Sequence, residues 1–385
     1  MSRCIGCGAI LQSLDPEAPG YLPPSADAES KQYCKRCFHI RNHNLDYSSA
    51  NLALMKDPRL VKQKQLEYRM LLAGMKDEQC LVLLMIDCLD IYTGFIDGLD
   101  ELVGNNPVWI LANKVDLLPK DLKLAKWKEK ILKEASLHHL DVHNVFFISA
   151  ANETGVKTLV ERMLVAYEKN KKPVENIYLV GATSVGKSTF INMILNHYGE
   201  AKNIITTSME PNTTSNLIKI QIGTNKDKKV CFITDTPGYL NEKSILSCAP
   251  LATLKVLVPK NYIRVRTFQL KGEQTIFLGG LARIDIASVK CSLSCYVSDR
   301  LYLHRTKTIN KDQAYHNLKY KELVPPFDEE ELAIYGALKH YELKSSKQVN
   351  LWLSGLGILH LVGDANITIE APEMIHVTED QDDLS

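Results

Sequence analysis

A chain of 385 residues exceeds what one hydrophobic core usually serves, so two or three domains are expected. With 45% hydrophobic and 24% charged residues and a net charge of +1, the composition is that of an ordinary soluble globular protein, and the charge by itself names no partner. The longest apolar run, Leu81 to Ile86, is far short of the roughly 20 residues of a membrane-spanning helix. No apolar stretch with a cleavage site opens the chain, so a cytoplasmic protein with no membrane partner is expected.

Residues 1–47 hold two C-x2-C pairs, Cys4/Cys7 and Cys34/Cys37, around a loop containing Pro16, Pro19, Gly20, Pro23 and Pro24. This stretch is too short and polar for a large core, and four thiolates in such pairs suit one tetrahedral structural Zn2+. A closed Cys4 site does no chemistry; it folds the segment around it. His39 and His43 are alternative ligands, but four cysteines already complete the shell. The remaining six of the ten cysteines are dispersed among apolar neighbours, which fits a reducing compartment. Lys31, Lys35, Arg36, His39 and Arg41 form a basic edge that is either a nucleic-acid contact or a solvated face.

The stretch from Met55 to Met75 reads as a helix or linker. Apolar runs then fall at 81–86, 108–112, 145–148, 177–180, 217–222 and 230–233, with helical stretches at 121–136, 155–168 and 187–196. The alternation predicts an α/β domain over 48–256, a mostly parallel sheet with helices on both faces and its ligand site at the carboxyl ends of the strands.

Four strand ends carry chemistry. Asn113-Lys114-Val115-Asp116 follows the run Val108 to Ala112 and matches N-K-x-D. A carboxylate at Asp116 accepts from the N1–H and exocyclic amine of guanine, a pattern adenine lacks; Asn113 pins the loop, and Lys114 lays its stem along the base. Ser149-Ala150 ends the next run, and the Ala150 N–H suits the guanine O6. Gly181-Ala182-Thr183-Ser184-Val185-Gly186-Lys187-Ser188 fits G-x-x-x-x-G-K-[ST] between a strand and a helix, so this loop with Thr189 should cradle the phosphates. Lys187 is expected on the β- and γ-phosphates and Ser188 on Mg2+. Asp235-Thr236-Pro237-Gly238 follows a further strand; Asp235 would hold Mg2+ largely through water, and the Gly238 N–H would meet the γ-phosphate. Between these lies Thr213-Thr214, with Thr214 the first choice to complete the Mg2+ shell and Thr213 the fallback.

Together these motifs predict a P-loop domain that binds GTP or GDP with Mg2+ and hydrolyses GTP. Their order is permuted, because the guanine loops precede the phosphate loop. The ends of such a domain lie close together at the surface, where re-joining is tolerated. The permutation sends the switch elements directly into the C-terminal domain, so nucleotide state can bias that domain's position.

Residues 257–385 read as a β-rich domain, with strands at Ile263 to Leu270, Gln274 to Gly279, Ala287 to Val297 and Asn366 to Ile369. Lys260, Arg264, Arg266, Lys271, Arg283 and Lys290 among them suggest a phosphate-binding face. The acidic end, Glu379 to Asp383, reads as a frayed tail.

This order of motifs behind paired C-x2-C resembles the YqeH family of circularly permuted bacterial GTPases over nearly the whole chain. Cys4-Ile5-Gly6-Cys7-Gly8, Cys34-Lys35-Arg36-Cys37-Phe38 and Leu278-Gly279-Gly280-Leu281-Ala282-Arg283-Ile284-Asp285 carry the likeness in the zinc module and C-domain. The resemblance implies an assembly factor for the small (30S) ribosomal subunit that binds its rRNA, and ribosomal proteins with it, and is a monomer when free. It also implies a C-terminal domain similar to the tryptophan-RNA attenuation protein. Tyr239 stands where many small GTPases have a water-orienting glutamine, so slow intrinsic turnover, accelerated by a partner, is expected. Ser184 replaces the asparagine that related GTPases associate with K+, which argues against potassium stimulation. A reading of another class is a nucleotide-sensing regulator of protein or mRNA partners, with hydrolysis as reset.

Overall fold

The computed structural model describes residues 10–14, 20–23, 34, 57–120, 122–167, 174–197, 204–207, 217–382 and 384. Cys4, Cys7 and Cys37, both candidate histidines, the basic edge of residues 31–41, and Thr213 and Thr214 lie outside the described residues. Of the four candidate zinc ligands, Cys34 is described and is buried.

The first part of the fold runs α1 (Pro58–Leu72), β1 (Cys80–Asp87), α2 (Leu99–Val103), β2 (Val108–Asn113), α3 (Leu124–Leu137), β3 (Val142–Phe147), α4 (Val156–Ala166), β4 (Asn176–Val180), α5 (Lys187–His197), β5 (Ile204–Thr207), β6 (Leu217–Thr224), β7 (Val230–Asp235) and α6 (Leu251–Leu257). Its seven strands form one sheet in the order β3-β2-β1-β4-β7-β6-β5. The first five of that order pair in parallel, and β6 and β5 close the edge antiparallel, so the sheet is mostly parallel, as expected, with a mixed edge.

Every residue of β1 is buried, as a central parallel strand covered on both sides requires. Successive side chains enter opposite cores. Val82, Leu84 and Ile86 join Tyr68 and Leu72 of α1 and Trp127 and Ile131 of α3. Leu81, Leu83 and Met85 join Leu159 and Met163 of α4 and Phe190 and Ile194 of α5. Helices therefore cover both faces. Trp127 is fully buried with its Nε1 donating to the Cys88 carbonyl at 3.0 Å; truncating such a side chain costs about 3–5 kcal/mol.

The second part comprises β8 (Arg266–Leu278), β9 (Ala282–Val297), β10 (Leu303–Lys307), α7 (Lys311–Leu318), α8 (Glu329–Ile334), β11 (Leu338–Ser345), β12 (Gln348–Leu353), β13 (Gly357–Val362), β14 (Ala365–Pro372) and β15 (Val377–Asp380). Its path is β10-β8-β9-β13-β12-β15, with β14 joining β9 to β11. The two short runs expected at 263–270 and 274–279 are one strand, β8, with its pairing shifted between Leu270 and Gly272. Because β9 is 16 residues long, its first half can pair with β14 and its second half with β13.

Ile245, Cys248, Ala249 and, from α6, Leu257 pack in the core of the second sheet. One expectation changes. The acidic end is not frayed at Asp380. That residue pairs with Asn350 in the β15–β12 ladder, and its carboxylate accepts from Tyr92, Asn350 and Trp352 at 2.9, 2.7 and 2.6 Å. Acidic composition suggested solvent; the buried donors of another element decided otherwise.

The two sheets meet through a cross-strand row. Tyr296, Ile358 and Trp352 are register partners on β9, β13 and β12, and all three belong to the core that holds α1 and α3. Trp352 stacks obliquely on Trp127, with ring centroids 5.8 Å apart. No helix among the described residues is long and apolar enough to cross a membrane.

Candidate functional site

The phosphate loop leaves β4 at the carboxyl end of the sheet and enters α5 at Lys187. Its glycines answer to sterics: a Cβ on Gly181 would stand 2.5 Å from the Met85 carbonyl, and one on Gly186 would stand 2.3 Å from Asn113 Nδ2. Ser188 and Thr189 are exposed on the first turn of the helix, where free N–H groups and the helix dipole favour phosphate.

Lys187 and Asp235 form the electrostatic centre. Lys187 Nζ donates to the Gly181 and Ala182 carbonyls at 2.7 and 2.8 Å. Burial pulls its pKa down to about 8 against the attraction of Asp235. Asp235 ends β7 in register with Leu179 of β4, and burial raises its pKa to about 6 despite Lys187 and the Thr236 N–H. Its Oδ1 is buried and meets no hydrogen-bond partner. A buried ammonium beside a carboxylate with an unsatisfied oxygen fits the phosphates and Mg2+ of a bound nucleotide, and the Ser188 hydroxyl supplies a second oxygen donor of the kind Mg2+ prefers. Gly238 lies against Thr183 and the Lys187 amine, which puts its backbone on the phosphate side.

Asn113 ties the guanine side to the phosphate side. Its Nδ2 donates to the Val185 carbonyl at 2.8 Å, and its Oδ1 accepts from the Ala150 N–H at 3.0 Å. The Ala150 N–H, the donor expected for guanine O6, is thus bonded to Asn113 in this structure. Ser149 is buried, with its Oγ accepting from the Asn152 N–H at 3.3 Å. Asp116 is half-buried on the turn Val115–Leu117, which the left-handed backbone of Lys114, φ 67°, directs out of the strand.

Asp87 was not among the residues expected at the site. Lys114 Nζ sits 2.5 Å from Asp87 Oδ2 and 3.0 Å from the Ser184 carbonyl, so Asp87 holds the lysine between β1 and the phosphate loop. The signal was present: an aspartate closes an otherwise apolar central strand at its carboxyl end, where such sheets bind ligands.

The segment after Gly238, of which the sequence singled out Tyr239, is fastened to the phosphate loop. Tyr239 donates its N–H to the Gly181 carbonyl at 3.0 Å and accepts from the Thr183 N–H at 2.9 Å, while its ring is buried edge-on against Tyr68, 5.4 Å between centroids. Thr183 Oγ1 donates to Ser247 Oγ at 3.0 Å, and Ser184, at φ 64°, donates to the Leu246 carbonyl at 3.2 Å. From the other side, Ser354 Oγ donates to the Lys243 carbonyl and the Gly355 N–H to Asp90 at 3.0 Å. The phosphate loop and the C-terminal sheet thus grip one short segment.

The basic face expected on the C-terminal domain is only partly present. Arg266 donates to the Ser298 and Leu301 carbonyls at 2.9 Å, and Arg283 pairs with Glu370 at 3.0 Å and Asp312 at 3.3 Å, so both are spent internally. Lys260, Arg264, Lys271 and Lys290 are exposed. Among the described residues no three His, Cys, Asp or Glu side chains cluster to hold a metal.

A phosphate loop at the end of a central strand, an acidic partner on the next strand, and N-K-V-D fastened to the loop by Asn113 define a P-loop GTPase joined to a β-rich C-terminal domain. Comparison with known proteins agrees. Residues 176–276 match the family model described as 50S ribosome-binding GTPase, and residues 290–381 match that of the YqeH-like C-terminal domain. The chain is 34% identical to the uncharacterized protein YqeH of Bacillus subtilis over 97% of both chains, and it belongs to the YqeH family. It is also 26% identical to the chloroplastic/mitochondrial NO-associated protein 1 of Arabidopsis thaliana, with 89% of this chain aligned to 65% of that one. GTPase Der of Saccharophagus degradans is 30% identical over 40% of this chain and 31% of its own length. The chain hydrolyses GTP.

Proposed function

We propose that this GTPase acts in biogenesis of the small (30S) ribosomal subunit, binding rRNA or an immature particle in one nucleotide state and leaving after hydrolysis. The observation that carries the nucleotide dependence is the segment Lys243–Ser247, held by Thr183 and Ser184 on one side and by Ser354 on the other. A change at the γ-phosphate that moves this segment alters the seat of the C-terminal sheet as well. The choice of subunit rests on the resemblance of the zinc and C-domain signatures.

In this reading the GTPase domain is circularly permuted: β2 and β3 carry the guanine loops and precede β4 and its phosphate loop in the chain while lying beyond β1 in the sheet. Asp116 reads the base, Lys187 and the α5 N-terminus hold the phosphates, and Ser188, Asp235 and Thr214 hold Mg2+, which neutralises charge on the transferring phosphoryl group. Tyr239 has its ring packed away from solvent, which supports slow turnover without a partner. Cys4, Cys7, Cys34 and Cys37 hold a structural Zn2+, and the protein works in the cytoplasm.

Sedimentation of the full chain with 30S, 50S and immature particles, in GDP and in a non-hydrolysable GTP analogue, tests the proposal. Co-sedimentation with small-subunit particles in one state only is expected, with GTPase stimulation by the same particles. Binding to 50S alone, or nucleotide-independent binding, overturns it. Tyr239 in the glutamine position also favours a second reading, a nucleotide-sensing regulator of protein or mRNA partners; crosslinking in cells that recovers those in place of rRNA selects it.

A further inference from the structure

We infer that Asp87 is a specificity-determining residue of the guanine site: it holds the Lys114 ammonium away from Asp116 and so keeps the Asp116 carboxylate for the base. Lys114 and Asp116 stand two positions apart in N-K-V-D, one a cation on a flexible four-carbon stem and the other an anion. The Cα atoms of residues two apart lie no more than about 7 Å from each other, so the stem can bring the ammonium to that carboxylate. There it would compete with the guanine N1–H and amine for the same two oxygens. In the fold, Lys114 Nζ instead lies 2.5 Å from Asp87 Oδ2 and donates to the Ser184 carbonyl at 3.0 Å. Among the described residues no hydrogen bond or ion pair engages the Asp116 carboxylate.

Three features suit Asp87 to this task. It ends β1 in register with Asn113 of β2, the residue before Lys114. Its Oδ1 accepts from the Leu89 N–H at 2.9 Å, which fixes the carboxylate while Oδ2 faces the lysine. The Lys114 and Asp87 side chains are 15% and 8% exposed, and a pair shielded from water attracts more strongly than one on the surface. Asp90, the other acid at this end of β1, is occupied elsewhere, since its carboxylate accepts from the Gly355 N–H at 3.0 Å and from Thr93. An asparagine at position 87 keeps the shape and one acceptor but loses the charge, which leaves Asp116 as the stronger partner for the ammonium. The inference rests on the reading of N-K-V-D as the base loop, and it adds to that loop a residue from another strand.

The test uses the full chain and its Asp87→Asn, Lys114→Met and double variants, with calorimetric titrations of GDP, IDP and inorganic pyrophosphate and with thermal unfolding. Inosine lacks the exocyclic amine of guanine, so the ratio of GDP to IDP affinity reports whether the Asp116 carboxylate is free to accept it. Asp87→Asn is expected to weaken GDP about tenfold and to bring its affinity toward that of IDP, with pyrophosphate binding unchanged. In the Lys114→Met background it is expected to add nothing, because no ammonium is left to divert. Asp87→Ser repeats the test should the asparagine variant not fold. A variant at position 87 that keeps the wild-type GDP to IDP ratio overturns the proposal, as does an equal loss for GDP, IDP and pyrophosphate, which is the mark of a general disturbance of the site. Wild-type protein that binds GDP and IDP equally removes the reading of N-K-V-D as the base loop, and the proposal with it.

Discussion

The ammonium of Lys130, on α3 of the GTPase domain, lies 2.8 Å from the Asp380 carboxylate on the last strand of the C-terminal sheet, and both side chains are buried. Lys130 also reaches Asp382 at 3.0 Å, and its amine sits 5.7 Å from the centre of the Trp352 ring. Two sheets that share no strand are thus joined by a charge pair inside their interface.

Breaking that pair from one side leaves the other charge buried. Burial alone would push the Asp380 pKa up, but the bonds from Lys130, Asn350 and Trp352 outweigh it and hold it below the usual range. Lys130→Met is therefore expected to cost about 3–5 kcal/mol in denaturant unfolding. A depressed carboxylate gives stability that is present above its unfolded pKa and lost as pH falls through the folded one. Wild type should therefore lose more stability below pH ~4 than Lys130→Met does. Equal acid sensitivity of the two proteins would show that the pair contributes nothing.

Asp90 has the opposite sign. Burial, with Asp87 adding to it, raises its pKa to about 6 against hydrogen bonds from Thr93 and the Gly355 N–H. A raised carboxylate gives stability that is fully present below its unfolded pKa and lost as pH rises through the folded value. Asp90→Asn keeps the acceptor for Gly355 and should gain on wild type by about 2–3 kcal/mol between pH 4 and pH 7. Unfolding curves at the two pH values decide it; parallel curves contradict the assignment.

Asp116→Asn tests guanine reading. Replacing the carboxylate by an amide removes two charge-assisted bonds to the base, so GDP affinity should fall at least ~100-fold. Xanthine carries a carbonyl in place of the guanine amine, and the new amide can donate to it. Nucleotide titrations should therefore show XDP binding better than GDP. Unchanged preference for GDP would place base recognition elsewhere.

Gly355→Ala changes the C-terminal sheet and should be felt at the nucleotide. The residue has φ +74°, and a Cβ there would come within 2.5 Å of Ile245 Cγ2 and 3.0 Å of Leu246 Cγ. Leu246 supplies the carbonyl that Ser184 donates to, so the push arrives at the phosphate loop. A loss of about 1–3 kcal/mol in stability and faster GDP release are expected. Altered stability with wild-type release would mean that the segment absorbs the strain before the loop.

Much of the GTPase site was legible in the sequence because each motif is a local device. Gly181 and Gly186 answer to the backbone of one loop, Lys187 and Ser188 to the helix start beside it, and N-K-V-D to a single strand end. Periodicity located β1, β2, β4 and β7 for a similar reason, since buried parallel strands are uninterrupted apolar runs. Partners distant in the chain were not legible. Asp87 meets Lys114 across 27 positions and Lys130 meets Asp382 across 252, so no spacing rule connects them. The strands β12 and β13 were missed although their apolar residues, like those of β1, are divided between two cores: Leu351 and Leu359 enter the core of the C-terminal sheet, while Trp352 and Ile358 enter that of the GTPase domain. The sequence by itself determined which loops carry the guanine-nucleotide motifs, because those motifs are written in adjacent residues. The tertiary structure alone decided that α1, the segment after Gly238 and the acidic end belong to the same machine, because burial and charge pairing depend on what the fold brings alongside.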